Sequence, residues 1–245
     1  MNTTSSPSSS PGRIVMTPIW RHLLFLHWEF EPQVVQKLLP EGLEVDTFEG
    51  KAYVGLVPFT MGQVRPNFIP NMGRWGHFYE QFAELNVRTY VKRNGVPGVW
   101  FFSLDAASSP AVLTARAWFG LPYYRARMKF WRGNDGAFRY RSHRLWPVPP
   151  RASCSLQYRV EGEVKAAEPG SLEEFLVERY SLYSRKNGQW YRGRVHHTPY
   201  PLRSASVQVL REDCLAAAGF ERMGAPQHVV YSAGVDVDIS PLEVC

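Results

Sequence analysis

Cysteine is scarce in this chain, long apolar runs are missing, and so are the usual phosphate-binding and nucleophile motifs. Three cysteines in 245 residues, Cys154, Cys214 and Cys245, are an odd number without metal-ligand spacing. That excludes a disulfide framework and fits free thiols in a reducing, cytoplasmic compartment. No stretch approaches the roughly 20 apolar residues of a membrane-spanning helix, so no membrane association is expected. The opening MNTTSSPSSSPG is too polar to be the core of a signal peptide. Residues 1–13 read as a disordered tail, and 14–245 as a single soluble domain.

Other absences narrow the chemistry. No Gly-rich dinucleotide or P-loop motif appears. Ser103, Ser153 and Ser155 lack the Gly-x-Ser-x-Gly elbow of a hydrolase. The net charge of +6 comes without a basic run of five or more, a zinc finger, a helix-turn-helix or an RNP-type motif, so no nucleic-acid partner is expected. His22 and His27 fall on opposite faces of one strand, and His196 and His197 point apart on an extended chain. Neither pair holds a metal, and no cofactor is indicated.

Aromatics are plentiful, with 8 Trp, 12 Tyr and 14 Phe, and the dominant pattern is β. RHLLFLHWEF, AYVGLVPFTM, FAELNVRTYV, VWFFSLDA, AFRYRSHR, SCSLQYRVEGEV, ASVQVL and HVVYSAGVDVDI read as strands. Asn94-Gly95 marks a tight hairpin turn, and Glu49-Gly50 the turn of another. Gly120 and Pro122 interrupt a strand predicted across ARAWFGLPYYRARMKFW. Pro32 opens a short helix with Val34, Val35, Leu38 and Leu39 as its buried stripe. SLEE at 171–174 is a capping box, and the helix behind it is predicted to run to Asn187-Gly188. Asp213–Ala218 is a further short helix. Pro66–His77, without period, reads as a long connecting loop.

One strand carries the candidate site. In FAELNVRTYV, Glu84, Asn86 and Arg88 alternate onto one face and Leu85, Val87 and Thr89 onto the other. Facing an interior, the three polar groups must satisfy a ligand or one another, because an unpaired buried charge is costly. They are either a polar barrel floor, with Glu84 as acid or base and Arg88 as an anion clamp, or a salt-bridge ladder. Asp105 and His143, near strand ends, are expected to satisfy backbone groups.

HWEFEPQVVQKLLPEGLEVDTFEGKAYVGLVPFTM, FAELNVRTYV, FFSLDA, GLPYYRARM, FLVERYSLY and RGRVHHTPYPL, in this order, resemble the uncharacterised bacterial YqjF-like family, from about Trp20 to the C-terminus. That family is grouped with acetoacetate decarboxylase-like proteins. The resemblance implies a mostly β (α+β) fold, with an antiparallel β-barrel core and a few flanking helices, and by analogy a homo-oligomer. Decarboxylases of the superfamily carry a Gly-aromatic-Pro-Lys-Lys turn whose first lysine forms a Schiff base. The matching residues are Gly120-Leu121-Pro122-Tyr123-Tyr124, and a phenol forms no imine. Lys129, six residues on, is roughly 20 Å away by strand rise. Glu84 matches the decarboxylase glutamate, while Glu29 stands where they have an arginine. The expected protein is a barrel binding a small organic acid or ketone-like ligand through Asn86, Arg88, Tyr123 and Tyr124. Glu84 is its acid/base if it is an enzyme. A non-catalytic scaffold or oligomerisation module with a filled barrel is the alternative.

Overall fold

The computed structural model describes residues 14–63, 81–222 and 224–245. The tail and the loop read at Pro66–His77 lie outside these. The first half holds β1 (Ile19–Phe30), α1 (Pro32–Gln36), β2 (Glu44–Val45), β3 (Ala52–Gly62), β4 (Phe82–Arg93), β5 (Val96–Ala106) and α2 (Ser109–Thr114). There follow β6 (Tyr123–Arg132), β7 (Phe138–Trp146), β8 (Ser153–Lys165), α3 (Leu172–Val177), β9 (Ser181–Lys186) and β10 (Gln189–His196). The chain ends with β11 (Leu202–Glu212), α4 (Cys214–Ala217), β12 (His228–Asp236), β13 (Asp238–Ile239) and β14 (Glu243–Val244). No described helix is long and apolar enough to cross a membrane.

The strands follow one another as β5–β6–β7–β8–β11–β12–β1–β3–β4, and β4 returns to pair with β5, so the sheet closes into a ring. Asn94 and Gly95 both take positive φ (50° and 76°), which suits the right-handed twist of the β4–β5 hairpin. Most pairs are antiparallel, but β5 runs parallel to β6 and to β9.

The parallel β5–β6 pair explains one departure from the sequence reading. Parallel neighbours need a crossover, and the chain supplies it as α2 followed by a π-helical turn, Ala115–Phe119, rather than as strand. Ser108 caps α2, its Oγ accepting from the Ala111 amide at 3.4 Å, and Gly120 ends the turn in left-handed geometry (φ 63°). The helix after SLEE is shorter than expected, stopping at Val177, because Leu182 and Tyr183 pair with β5 as part of β9. Asn187-Gly188 is the β9–β10 hairpin turn. The Ser171 hydroxyl accepts from the Glu174 amide as predicted (3.2 Å), but the Glu174 carboxylate accepts from Gly170, not Ser171. Glu49-Gly50 closes only the Phe48–Lys51 bridge, and β2 pairs with β4 instead of β3. Of the stripe predicted for this helix, Val35 on α1 and Leu39 just beyond it are buried, while Val34 and Leu38 are exposed.

Alternation divides the apolar residues between two cores. Leu24, Leu26, Val54, Leu56, Leu85 and Val87 join Tyr140, Leu156 and Tyr158 from the far side of the ring. The ring interior is therefore a packed core. Tyr140 spans it, donating to the Glu84 backbone carbonyl at 2.7 Å. The opposite faces of β1, β3 and β4 present Leu23, Phe25, Val57, Phe59 and Tyr90 to a second core with Leu176, Val195 and Tyr200.

Candidate functional site

Glu84, Asn86 and Arg88 share a face of β4, and that face looks out of the ring. They line a cavity of about 280 Å³ between the outer side of β1, β3, β4 and β5 and an overlying layer. That layer includes Val195, Tyr200 and the α2–π-turn segment, with half-exposed Trp118 on the rim. The placement on a barrel floor is thus corrected. Neighbouring Leu85 and Val87 fill the ring, which puts their polar neighbours on its outside. Tyr123 enters from β6, because Asn86, Leu104 and Tyr123 form one cross-strand row over β4, β5 and β6. Trp20, Leu23, Phe59, Met61 and Phe101 make most of the remaining wall apolar.

The polar groups are not mutually neutralised. Glu84, 1 % exposed, accepts from the Tyr123 hydroxyl at 3.2 and 3.1 Å to its two oxygens. Burial pushes the Glu84 carboxyl up to about 8, against the opposing Tyr123 hydrogen bond and with a smaller push from Asp105. It therefore keeps its proton at neutral pH. Asn86 Oδ1 is buried without a partner among the described residues. Arg88 Nη2 donates to the Leu176 carbonyl (2.9 Å) and the Tyr90 hydroxyl (3.3 Å), while its Nε is buried and unbonded. The guanidinium lies 5.4 Å from the Phe25 ring centre. The ion pairs found among the described residues include none to Arg88, so the salt-bridge ladder does not form.

Behind Arg88 runs a buried histidine relay. The Tyr90 hydroxyl donates to Leu176 O (2.7 Å), so its oxygen accepts from His27 Nε2 (2.6 Å). With that proton on Nε2, His27 Nδ1 accepts from His228 Nδ1 at 3.0 Å. His228 Nε2 is left without a hydrogen bond, 3.8 Å from the half-exposed Glu173 carboxylate. Gly55 makes room for this chain, since a Cβ there would stand 2.9 Å from the His27 ring.

Burial, then the neighbouring His228 and Arg88 charges, drive the His27 pKa well below 6.5. Burial lowers His228 too, against the opposing Glu173 charge. A base with a folded pKa below its unfolded value takes up protons preferentially when unfolded, so this stability is present above pH 6.5 and lost as pH falls. Replacing His27 by Gln should flatten the decline in unfolding free energy between pH 7 and 5. Urea titrations of parent and variant compare the slopes directly. Equal slopes would mean that the relay is not what titrates.

Other candidates disperse. Tyr124, next to Tyr123 and so on the opposite strand face, lies outside the cavity lining beneath Arg144, 3.8 Å from guanidinium carbon to ring centre. Asp105 does not serve backbone groups but pairs with Arg144 at 2.8 Å, both 1 % exposed. His143 is exposed on the outer face of β7. His197 packs on Tyr180 and Tyr200, and the described residues contain no cluster able to hold a metal. Glu29 is exposed on β1. None of the six lysines lines the cavity. Tyr200, Tyr90 and His228 join the site without any local pattern to announce them.

Comparison with solved structures defines the class by fold. The chain superposes on an acetoacetate decarboxylase-like enzyme from Sphingomonas wittichii RW1 with TM-score 0.62 at 10% identity, covering 99% of each chain. Acetoacetate decarboxylase from Legionella pneumophila gives 0.56 at 12% identity over 99% of this chain and 93% of that one. The enduracididine biosynthesis enzyme MppR complexed with pyruvate gives 0.57 at 14% identity over 98% and 94%. Within that fold, the chain belongs to the DUF2071 family of uncharacterized conserved proteins, whose model matches residues 17–236. It is 34% identical over 231 residues to the uncharacterized protein YqjF of Bacillus subtilis (strain 168), covering 94% of this chain and 93% of the relative.

Proposed function

We propose that the cavity binds a small, largely apolar organic acid, with its carboxylate on Arg88 and a carbonyl or hydroxyl directed at Glu84 and Tyr123. One observation carries this reading: a guanidinium with no carboxylate partner among the described residues shares an apolar cavity with a carboxyl group that keeps its proton. Such a cavity has a formal positive charge and is completed by an anion. Asn86, with a free buried acceptor, suits a ligand hydroxyl or amide. The Glu84 proton is available for delivery to a ligand oxygen or carbanion, which supports acid/base chemistry without a Schiff base. A structural relative holding pyruvate, a small oxo acid, fits the same ligand class.

Native mass spectrometry of freshly purified protein should detect a bound acid, with a mass that dissociates on mild activation. Borohydride treatment with oxo acids should leave every lysine unmodified, and a covalent adduct would overturn the non-imine reading. Glu84→Gln supplies a pH test. The carboxyl titrates near 8 when folded and near 4.5 when unfolded. Its contribution to stability is therefore full below 4.5 and lost as pH rises through 8. The Gln variant should melt within about 2 °C of the parent at pH 4.5 and increasingly above it as pH rises to 8.5. A large loss at both pH values would assign Glu84 a structural role.

A further inference from the structure

The outer face of β6, β7, β8 and β11 has a charge pattern that folding alone leaves uncompensated. Lys129 stands directly opposite Arg141, Arg141 opposite Ser155, and Ser155 opposite Arg211, forming one row across four strands. Arg127, His143 and Ser153 form the next row. Like charges directly opposite one another destabilise a sheet. On β7, Arg139 has a carboxylate in Asp135 and Arg144 one in Asp105. Arg127, Lys129, Arg141 and Arg211 have none within ion-pair distance among the described residues. The Trp131 ring supports two of them, Lys129 Nζ at 5.1 Å and Arg141 Cζ at 5.6 Å from its centre. These side chains line a surface groove of about 780 Å³. The acids at its end are already engaged, Glu212 by Arg222 and Asp213 by Ser153.

We infer that this groove is a second binding site, for a multiply charged phosphate compound of nucleotide size. Four cations from three strands converge on one concavity, more positive charge than a single carboxylate balances. Three are arginines, whose forked donors match phosphate oxygens, and Ser155 places a hydroxyl between Arg141 and Arg211. With the Trp131 ring already carrying Lys129 and Arg141, the groove is arranged for phosphate oxygens rather than for stacked bases. It lies outside the ring on strands that do not line the cavity of Arg88, apart from the Tyr123 end of β6.

Calorimetry with tripolyphosphate and metal-free ATP at 50 mM salt tests the inference. Both should bind, several-fold more weakly at 200 mM salt. Lys129→Glu should lower affinity at least tenfold while raising the melting temperature by about 1–3 °C, because it turns a repulsive cross-strand pair into an attractive one. Arg211→Ala should weaken binding with no change in melting temperature, and Arg88→Met should leave phosphate affinity intact. Equal binding to Lys129→Glu would overturn the site, as would citrate binding as tightly as tripolyphosphate. Tighter binding of a single-stranded oligonucleotide than of ATP would replace the inference with nucleic-acid recognition.

Discussion

Exchanging Arg88 for methionine lowers the affinity of the cavity for small carboxylates about 100-fold and leaves the unliganded protein as stable as before, or more so. Two lost charge-assisted hydrogen bonds amount to about 3 kcal/mol, a little over two decades in Kd. Stability moves the other way because a buried cation without a counter-ion is replaced by an apolar side chain of similar length. The Leu176 carbonyl that Arg88 holds keeps its hydrogen bond from Tyr90, so α3 remains docked. Calorimetry with benzoate and phenylpyruvate, against the neutral amides of the same shape, reads the affinity. Thermal melting reads the stability. A sharp loss of stability with unchanged carboxylate affinity would show that Arg88 is a structural prop for α3, and failure of the parent to prefer carboxylates would refute the proposed ligand class.

Removing Asp105 has the largest effect on folding. Arg144 is as buried as its partner, its Nε and Nη2 both converging on Asp105 Oδ1 at 2.9 and 2.8 Å. Its remaining partners are the Pro150 carbonyl and the Tyr124 ring. Asp105→Ala therefore strands a charge inside the ring and costs about 3–5 kcal/mol. The double change Asp105→Ala with Arg144→Met should recover most of that loss, since no charge then remains to be solvated. Urea unfolding of the four proteins closes the cycle, and a single-variant cost below about 1 kcal/mol would mean that water reaches Arg144. The cycle also reaches the cavity. Asp105 contributes to the raised Glu84 pKa, so its removal should lower the pH at which Glu84 titrates.

The residues themselves explain which parts were legible from sequence. That Glu84, Asn86 and Arg88 share a face follows from the two-residue period of a strand, a property of the covalent chain. The Asn94-Gly95 turn is equally local, because its positive φ angles select those residue types. Tyr123 in place of an amine is a statement about composition, and it rules out imine formation at that position whatever the fold. Ala115–Phe119 defied a strand reading because the parallel pairing of Leu104 with Tyr123 requires a crossover there, and no local pattern encodes a parallel partner. Leu182 continued a helical spacing that only its pairing with Val99 overrides.

Alternation by itself determined that three polar side chains travel together and that the strand between the turns is β4. Only the tertiary structure decided which side of that strand is inside. The ring closes through contacts between residues far apart in the chain, Tyr140 reaching Glu84 among them. That closure filled the interior with apolar side chains and left the polar face to the cavity beyond it. A period of two fixes relative orientation but is indifferent to the sign, and the sign is set by which face has more apolar surface to bury when the strands meet.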